Sequence, residues 1–364
     1  MAGPSERAAA CDRPALAVVI SCYNYERFVG QAIDSVLAQG RTDCELVVVD
    51  DGSTDRSWEV IRRSGAKAFR IDNGGQLRAC LHGLAHTTAP FVLFLDADDA
   101  LKPGSLGAIV ERLDPSLAKL QFSLTHVDEH GAPTGQSSSV DDFRAREALL
   151  KRVTASGVYK TPPTSGNVFR RDLCELLNEV TYDPAVDGVI LFAAPLFGEV
   201  LSLSRELADY RIHGRNDSGL GRAPDPATLQ RDLSRFAARH AHLSRIVAQK
   251  TGRGIVAAEK AFYHRERTYY LDALSGSRPG LAQLCGLVAA MAKEPMPIKE
   301  RLALAGLLVV AWASPGRIAV ALVTYRLKPG ARSLRGLLGQ VFAKPSPSPR
   351  PRTPVGATDV GAGG

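Results

Sequence analysis

Apolar positions along the first hundred residues fall into two alternating patterns. Short unbroken apolar runs at 16–21 (LAVVIS), 45–49 (ELVVV), 68–71 and 91–95 (FVLFL) read as strands buried on both faces. Between them the apolar residues take helical spacing. The stretch 28–38 carries Phe28, Val29, Ala32, Ile33, Val36 and Leu37, 55–64 turns Trp58, Val60 and Ile61 inward, and 77–86 makes a third helix. Strands alternating with helices predict an α/β fold, a mostly parallel sheet with helices on both faces, which binds ligands beyond the carboxyl ends of its strands. Farther on, 120–127 and 207–212 read as strands and 141–152 and 187–197 as helices, with 161–166 (TPPTSG) a turn-rich loop. Residues 226–275 are helical and rich in Arg, His and Ala, and 300–342 are apolar and basic.

This pattern divides the chain into a disordered leader (1–14), an α/β domain (15–220), a helical extension (221–298), an apolar-basic segment (299–343) and a low-complexity, disordered tail (344–364).

Composition adds little to the fold but localises the charge. With 45% hydrophobic and 23% charged residues, the chain fills an ordinary core. Between 299 and 352 stand ten Lys or Arg against one acid, Glu300, which exceeds the whole-chain +7 and leaves 1–298 near neutral. Any surface that seeks an anionic partner therefore belongs to the tail, and no nucleic acid is expected among the partners. The six cysteines form no C-x-x-C pair, so neither zinc nor a disulfide framework is expected. The N-terminus has no apolar core of signal-peptide length, which predicts a cytoplasmic protein.

The chemistry is expected at three strand ends: Ser21-Cys22-Tyr23-Asn24, the acidic turn from Asp50 to Asp55, and Asp96-Ala97-Asp98-Asp99. In an extended segment residues two apart face one side, so Asp96 and Asp98 point together. Paired carboxylates repel unless a cation lies between them, and oxygen ligands suit Mg²⁺ or Mn²⁺, which also bind a diphosphate. A solvated acidic turn is the plainer account of a D-x-D, but directly after a five-residue apolar strand metal binding is the stronger one. Ser53 or Thr54 also fits a helix N-cap.

Taken in order, VVISCYN, DDGSTD, NGGQ and FVLFLDADDALKP, followed by SGNVFRR at 165–171 and YRIHGRNDS at 210–218, resemble family 2 glycosyltransferases of the GT-A fold over about 15–220. The resemblance implies a Rossmann-like sheet and an inverting transfer from a nucleotide-diphosphate sugar, usually a uridine one, to a hydroxyl. It implies that Ser21 and Asp51 contact the base, Asp96 the ribose and Asp98 the metal. Tyr23, Asn24, Arg78 and Arg211 are further candidate donor contacts: Arg78 lies close to a place where the family often has an Arg that this chain lacks, and Arg211 either supports the leaving phosphate or forms a surface salt bridge. His213 is expected over the diphosphate or on the metal, and Asn167 and Arg170 on the acceptor side. The family's late carboxylate, commonly Glu-Asp, is matched by Val186-Asp187, which makes Asp187 the expected base; a first-turn acid favoured by the helix dipole is the alternative, and Asp183 the second choice. The chain departs from the family after NGGQ, with Leu81 two residues before Gly83 where an Asn is common.

The strand-one turn lacks the G-x-G-x-x-G of a dinucleotide enzyme and the Gly/Arg-rich loop of a nucleotidyltransferase. A catalytically silent sugar-nucleotide-binding or scaffolding protein stays open as the alternative. The runs 302–313 and 318–325, edged by Lys299, Arg301, Arg326, Lys328, Arg332 and Arg335, are each too short to span a bilayer. They suit an anionic membrane surface, or helices packed on the core. The expectation is a peripheral enzyme at the inner face of a membrane, with a glycan or lipid-linked acceptor and a place in cell-envelope or exopolysaccharide synthesis.

Overall fold

The computed structural model describes residues 14–214, 216 and 225–327. The expectations for the leader, for residues 328–343, for the tail and for the end of the 210–218 motif lie outside the described residues.

The four predicted strands form: β1 (Leu16–Cys22), β2 (Cys44–Asp50), β3 (Lys67–Arg70) and β4 (Phe91–Asp96). They lie parallel in the order β3-β2-β1-β4. Three helices connect them: α1 (Val29–Leu37), α2 (Ser57–Arg63) and α3 (Gln76–Ala85). Side chains alternate across β1, which explains its unbroken apolar run. Leu16, Val18 and Ile20 join α1 and α2 in one core, while Ala17 and Val19 join α3 in the other. Gly83 lets α3 settle onto the sheet, since a Cβ there would lie 2.4 Å from Val19 Cγ1.

Beyond β4 the sheet is mixed. β5 (Ala100–Leu101) and the short helix α4 (Ser105–Val110) lead to β6 (Leu117–Val127), β7 (Pro133–Ser138) and β8 (Phe143–Ala145). The helix expected at 141–152 begins only at Glu147: α5 (Glu147–Ser156) is stopped by Gly157, and 143–145 become an edge strand paired with Val200, Leu201 and Ser202. The SGNVFRR stretch, for which no strand is predicted, holds β9 (Asn167–Arg170), which runs antiparallel between β4 and β6 with Val168 and Phe169 fully buried. Helix α6 (Gly188–Phe197) precedes β10 (Glu199–Arg211), which pairs in parallel with β6 and is longer than predicted.

Helices then take over. α7 (Pro226–Thr251) starts on an Asp225 cap, whose carboxylate accepts the Thr228 N–H at 2.9 Å, with Pro226 in the first turn. Its inner end packs on α6 through Leu243, Ile246 and Val247. α8 (Phe262–Leu274), α9 (Leu281–Met291), α10 (Ile298–Ala313) and α11 (Gly316–Leu327) share a third core around Tyr269, Tyr270, Leu287, Leu308 and Val323. The Tyr269 hydroxyl donates to the Leu308 carbonyl at 2.7 Å and ties α8 to α10.

Candidate active site

The parallel register sets the strand ends level, with Ser21 beside Asp96 and Cys22 beside Asp50. Beyond them opens a cavity of about 840 Å³. Its first wall is made by two turns that hold each other. Asn24 is left-handed (φ 56°), a conformation its short amide side chain tolerates. Its Oδ1 accepts the Thr54 N–H at 2.8 Å, and its own N–H donates to Ser53 Oγ at 3.0 Å. The Asp51 carboxylate in turn accepts the N–H groups of Gly74 (2.9 Å) and Gly75 (2.8 Å), locking DDGSTD onto NGGQ. Gly52 permits that contact: its φ is +71°, and a Cβ would fall 2.8 Å from Asn73 N.

The D-x-D end follows. Carboxylate oxygens of Asp96, Asp98 and Asp99 lie within 4.8 Å of one another. Gln76 Nε2 donates to Asp96 Oδ1 at 2.6 Å, and its Oε1 accepts the Val186 N–H at 3.3 Å, so one amide links the acids to the entry of α6. Burial, aggravated by the charges of Asp98 and Asp187, pushes Asp96 well above the usual carboxylate range. Burial and the charges of Asp98 and Asp96 do the same to Asp99, whose Oδ2 is buried without a hydrogen-bond partner among the described residues. This oxygen-only, mutually repelling donor set fits a divalent cation such as Mg²⁺ or Mn²⁺. His213 stands beside it, Nε2 2.8 Å from Asp98 Oδ2, its ring stacked on Phe28 at 5.4 Å.

Asp187 occupies the N-cap position of α6, yet its side chain makes no capping bond. Instead Oδ2 accepts the Thr164 hydroxyl at 3.0 Å, and the carboxyl lines the cavity. Burial pushes it above the usual range, against the Thr164 hydrogen bond and the charge of Arg239. The TPPTSG loop that carries Thr164 is held by Asn167, whose Nδ2 donates to the carbonyls of Pro162 (3.2 Å) and Pro163 (2.7 Å). Asp183 also lines the cavity, and its Oδ1 accepts the Ala185 N–H at 3.1 Å.

Of the residues singled out in the sequence, Ser21, Tyr23, Asn24, Asp51, Asp96, Asp98 and Asp187 thus share one cavity, with His213 against Asp98. His213 itself is not among the lining residues, and four others do not line the cavity either. Arg78 is exposed and donates to the Asp72 carbonyl. Arg211 is buried behind the D-x-D turn; its Nε donates to the Asp98 carbonyl at 2.8 Å and its Nη2 to Gln31 at 2.7 Å. Asn167 is fully buried under the loop it braces. Arg170 pairs with Asp172 at 2.7 Å and ties β9 to the carbonyls of Pro115 and Phe197. Sequence reasoning missed Gln76 and the contribution of α7 and α8. Asp232, Arg235, Phe236 and Arg239 line the far wall together with Tyr263. The signal available was their spacing, which places the four α7 residues on one helix face.

Comparison with known proteins adds a family. Residues 17–173 match the model described as Glycosyl transferase family 2. An uncharacterised glycosyltransferase of Nostoc sp. is 36% identical over 219 residues, covering 56% of this chain and 66% of that one. The succinoglycan biosynthesis protein ExoU of Rhizobium meliloti is 35% identical over 101 residues, 26% of this chain and 29% of its own. The chain therefore spans less than two thirds of the length of these two relatives. Among solved structures, S. aureus TarS 1–349 in complex with UDP-GlcNAc aligns with 85% of this chain and 91% of its own, at 20% identity and a TM-score of 0.48.

Proposed function

Through residues 17–173 the chain belongs to glycosyl transferase family 2, and on that premise we propose that it transfers a sugar from a nucleotide-diphosphate donor, a UDP-sugar, to an acceptor hydroxyl with inversion. The observation that carries this reading is the single cavity lined by Asp51, by Asp96 and Asp98 of the D-x-D end, and by Asp187. Ser21, Tyr23, Asn24 and Asp51 form the end suited to the nucleoside, and Asp96 to its ribose. Asp98, with His213 beside it, would hold Mg²⁺ or Mn²⁺, which supplies neutralisation of the charge that develops on the leaving diphosphate. Asp187 takes the proton of the acceptor hydroxyl. The acceptor oxygen then bonds to the anomeric carbon from the face opposite the nucleotide, and the electrons of the broken carbon–oxygen bond leave on the diphosphate. Arg211, Asn167 and Gln76 act by position: they hold the D-x-D turn, the Thr164 loop and the α6 entry in register.

A thermal-shift panel of nucleotide sugars with Mn²⁺ tests the donor assignment. At a concentration a hundredfold above their Kd, UDP-sugars are expected to stabilise the protein by about 2–3 kcal/mol, and GDP-sugars at the same concentration by less. Equal or absent shifts would remove the uridine assignment. Donor hydrolysis without acceptor separates the enzyme from the silent binding protein.

Among the described residues no helix is long and apolar enough to cross a membrane. α11 turns Ala319, Leu322 and Val323 inward, so it packs on its neighbours. α10 buries Leu304, Leu308 and Ala311 but leaves Ile298, Leu302, Val309 and Val310 at 47–65% exposure, and the exposed cations Lys299 and Arg317 flank that stripe. Five of the seven exposed large hydrophobics among the described residues fall between Leu281 and Val310. An apolar stripe edged by bases suits the face of an anionic membrane. We therefore assign the protein a peripheral place at the inner face of a membrane, acting on a membrane-borne glycan or lipid-linked acceptor in envelope or exopolysaccharide synthesis. In flotation, full-length protein should rise with anionic vesicles at low salt and stay behind with neutral ones. Leu302→Glu with Val310→Glu should cut the bound fraction about tenfold. Equal flotation of parent and variant would contradict the assignment.

A further inference from the structure

The strand-end side of the cavity is crowded with acids, while the wall that α7 contributes is not. Along that helix Asp232, Arg235, Phe236 and Arg239 stand at i, i+3, i+4 and i+7, and all four line the cavity. The two guanidiniums differ in their surroundings. Arg235 lies 3.5 Å from the Asp183 carboxylate. Arg239 has no carboxylate within ion-pair distance among the described residues. Its guanidinium instead lies over two aromatic rings, 4.8 Å from the centre of Phe192 and 5.7 Å from that of Phe236. Its stem crosses the entry of α6, with Cδ 3.9 Å from where a Cβ on Gly188 would be. Gly188 directly follows Asp187, and the charge of Arg239 reaches the Asp187 carboxyl.

A guanidinium packed on aromatic faces leaves its edge for polar partners, and that edge is a planar fork of N–H donors. Such a fork matches the paired oxygens of a carboxylate or phosphate. Two anions come into question, the donor diphosphate and an acidic group on the acceptor. The diphosphate is drawn to the D-x-D end, beside Asp98 and His213. Arg239 belongs to the Asp187 end, where the reacting acceptor hydroxyl has to lie. We propose that Arg239 recognises an anionic group, a carboxylate or a phosphate, on the acceptor and holds its hydroxyl against Asp187. The acceptor is therefore an acidic or phosphorylated sugar. This rests on the assignment of Asp187 as the base.

The test uses full-length protein saturated with UDP and Mn²⁺. Binding of glucuronate, glucose 6-phosphate and glucose is measured by titration, so that the carboxylate and the phosphate are probed separately. One or both acidic sugars should bind about tenfold more tightly than glucose, the scale of one charge-assisted hydrogen-bond pair. Arg239→Gln should erase that preference, and Arg239→Lys should keep part of it as a point charge, with UDP affinity unchanged in both. Equal binding of all three sugars by the parent protein would overturn the proposal. So would a loss of UDP affinity in Arg239→Gln as large as the loss for the acidic sugar, since Arg239 would then serve the donor. Failure of UDP to bind the parent protein would instead remove the nucleotide-sugar reading itself.

Discussion

Asp98→Asn will keep the fold and lose donor turnover by about a hundredfold or more, the scale of removing a metal's charge stabilisation from a leaving phosphate. The substitution is isosteric, and the D-x-D turn is held by other groups. The Asp98 carbonyl still accepts from Arg211, Asp99 Oδ1 still accepts the Arg211 N–H at 2.9 Å, and the substituted amide still reaches His213. What changes is the charge: one of three carboxylates within 4.8 Å becomes neutral. The melting temperature should therefore hold, while sugar release from a UDP-sugar in Mn²⁺ collapses. A variant that turns over donor at the parent rate would detach the metal from this residue.

Asp187→Asn should bind UDP as the parent does and release sugar about a hundredfold more slowly, the usual scale for a general base. Among the described residues the side chain holds Thr164 and makes no cap, so its replacement costs the fold little. The pH profile gives a second reading. Burial raises this carboxyl above the usual range, and a base works only when deprotonated. Activity should fall as pH drops through that raised value, earlier than for an ordinary carboxylate, and the variant should lose this acid limb. Parent-like rates in the variant would move the role to Asp183.

The half of the molecule that was legible in the sequence was legible for a physical reason. Strands buried on both faces are continuous apolar runs, and a parallel arrangement delivers their polar ends to one edge. LAVVIS, ELVVV and FVLFL therefore predicted both the sheet and the place of Ser21, Asp51 and Asp96. β9 was not legible: its four residues follow a Pro-rich loop, and its place between β4 and β6 is set by pairing partners far away in sequence. The edge strand at Phe143–Ala145 was hidden in the same way, because Phe143, Leu149 and Leu150 fit one helical pattern while Val200–Ser202 decide the outcome.

Polar residues misled where they serve the backbone. Asn167 looked like an acceptor contact, but three loop carbonyls at Pro162, Pro163 and Thr164 need its amide. Arg211 looked like a phosphate ligand, but the carbonyls behind the D-x-D turn and Gln31 take its donors. The far wall carries no motif, and its helical spacing alone does not say what the face meets: the packing of α7 on α6 brings Arg235, Phe236 and Arg239 to the site.

On the proposed reading this cavity turns over a nucleotide sugar with a divalent ion. Phosphorus NMR of the full-length protein with UDP-sugars and no added acceptor tests it most directly, with water in the acceptor's place. Slow conversion of one UDP-sugar to UDP is expected in Mn²⁺ or Mg²⁺ and none in chelator. Conversion undiminished in chelator, or no UDP-sugar consumed or bound under any condition, would contradict it.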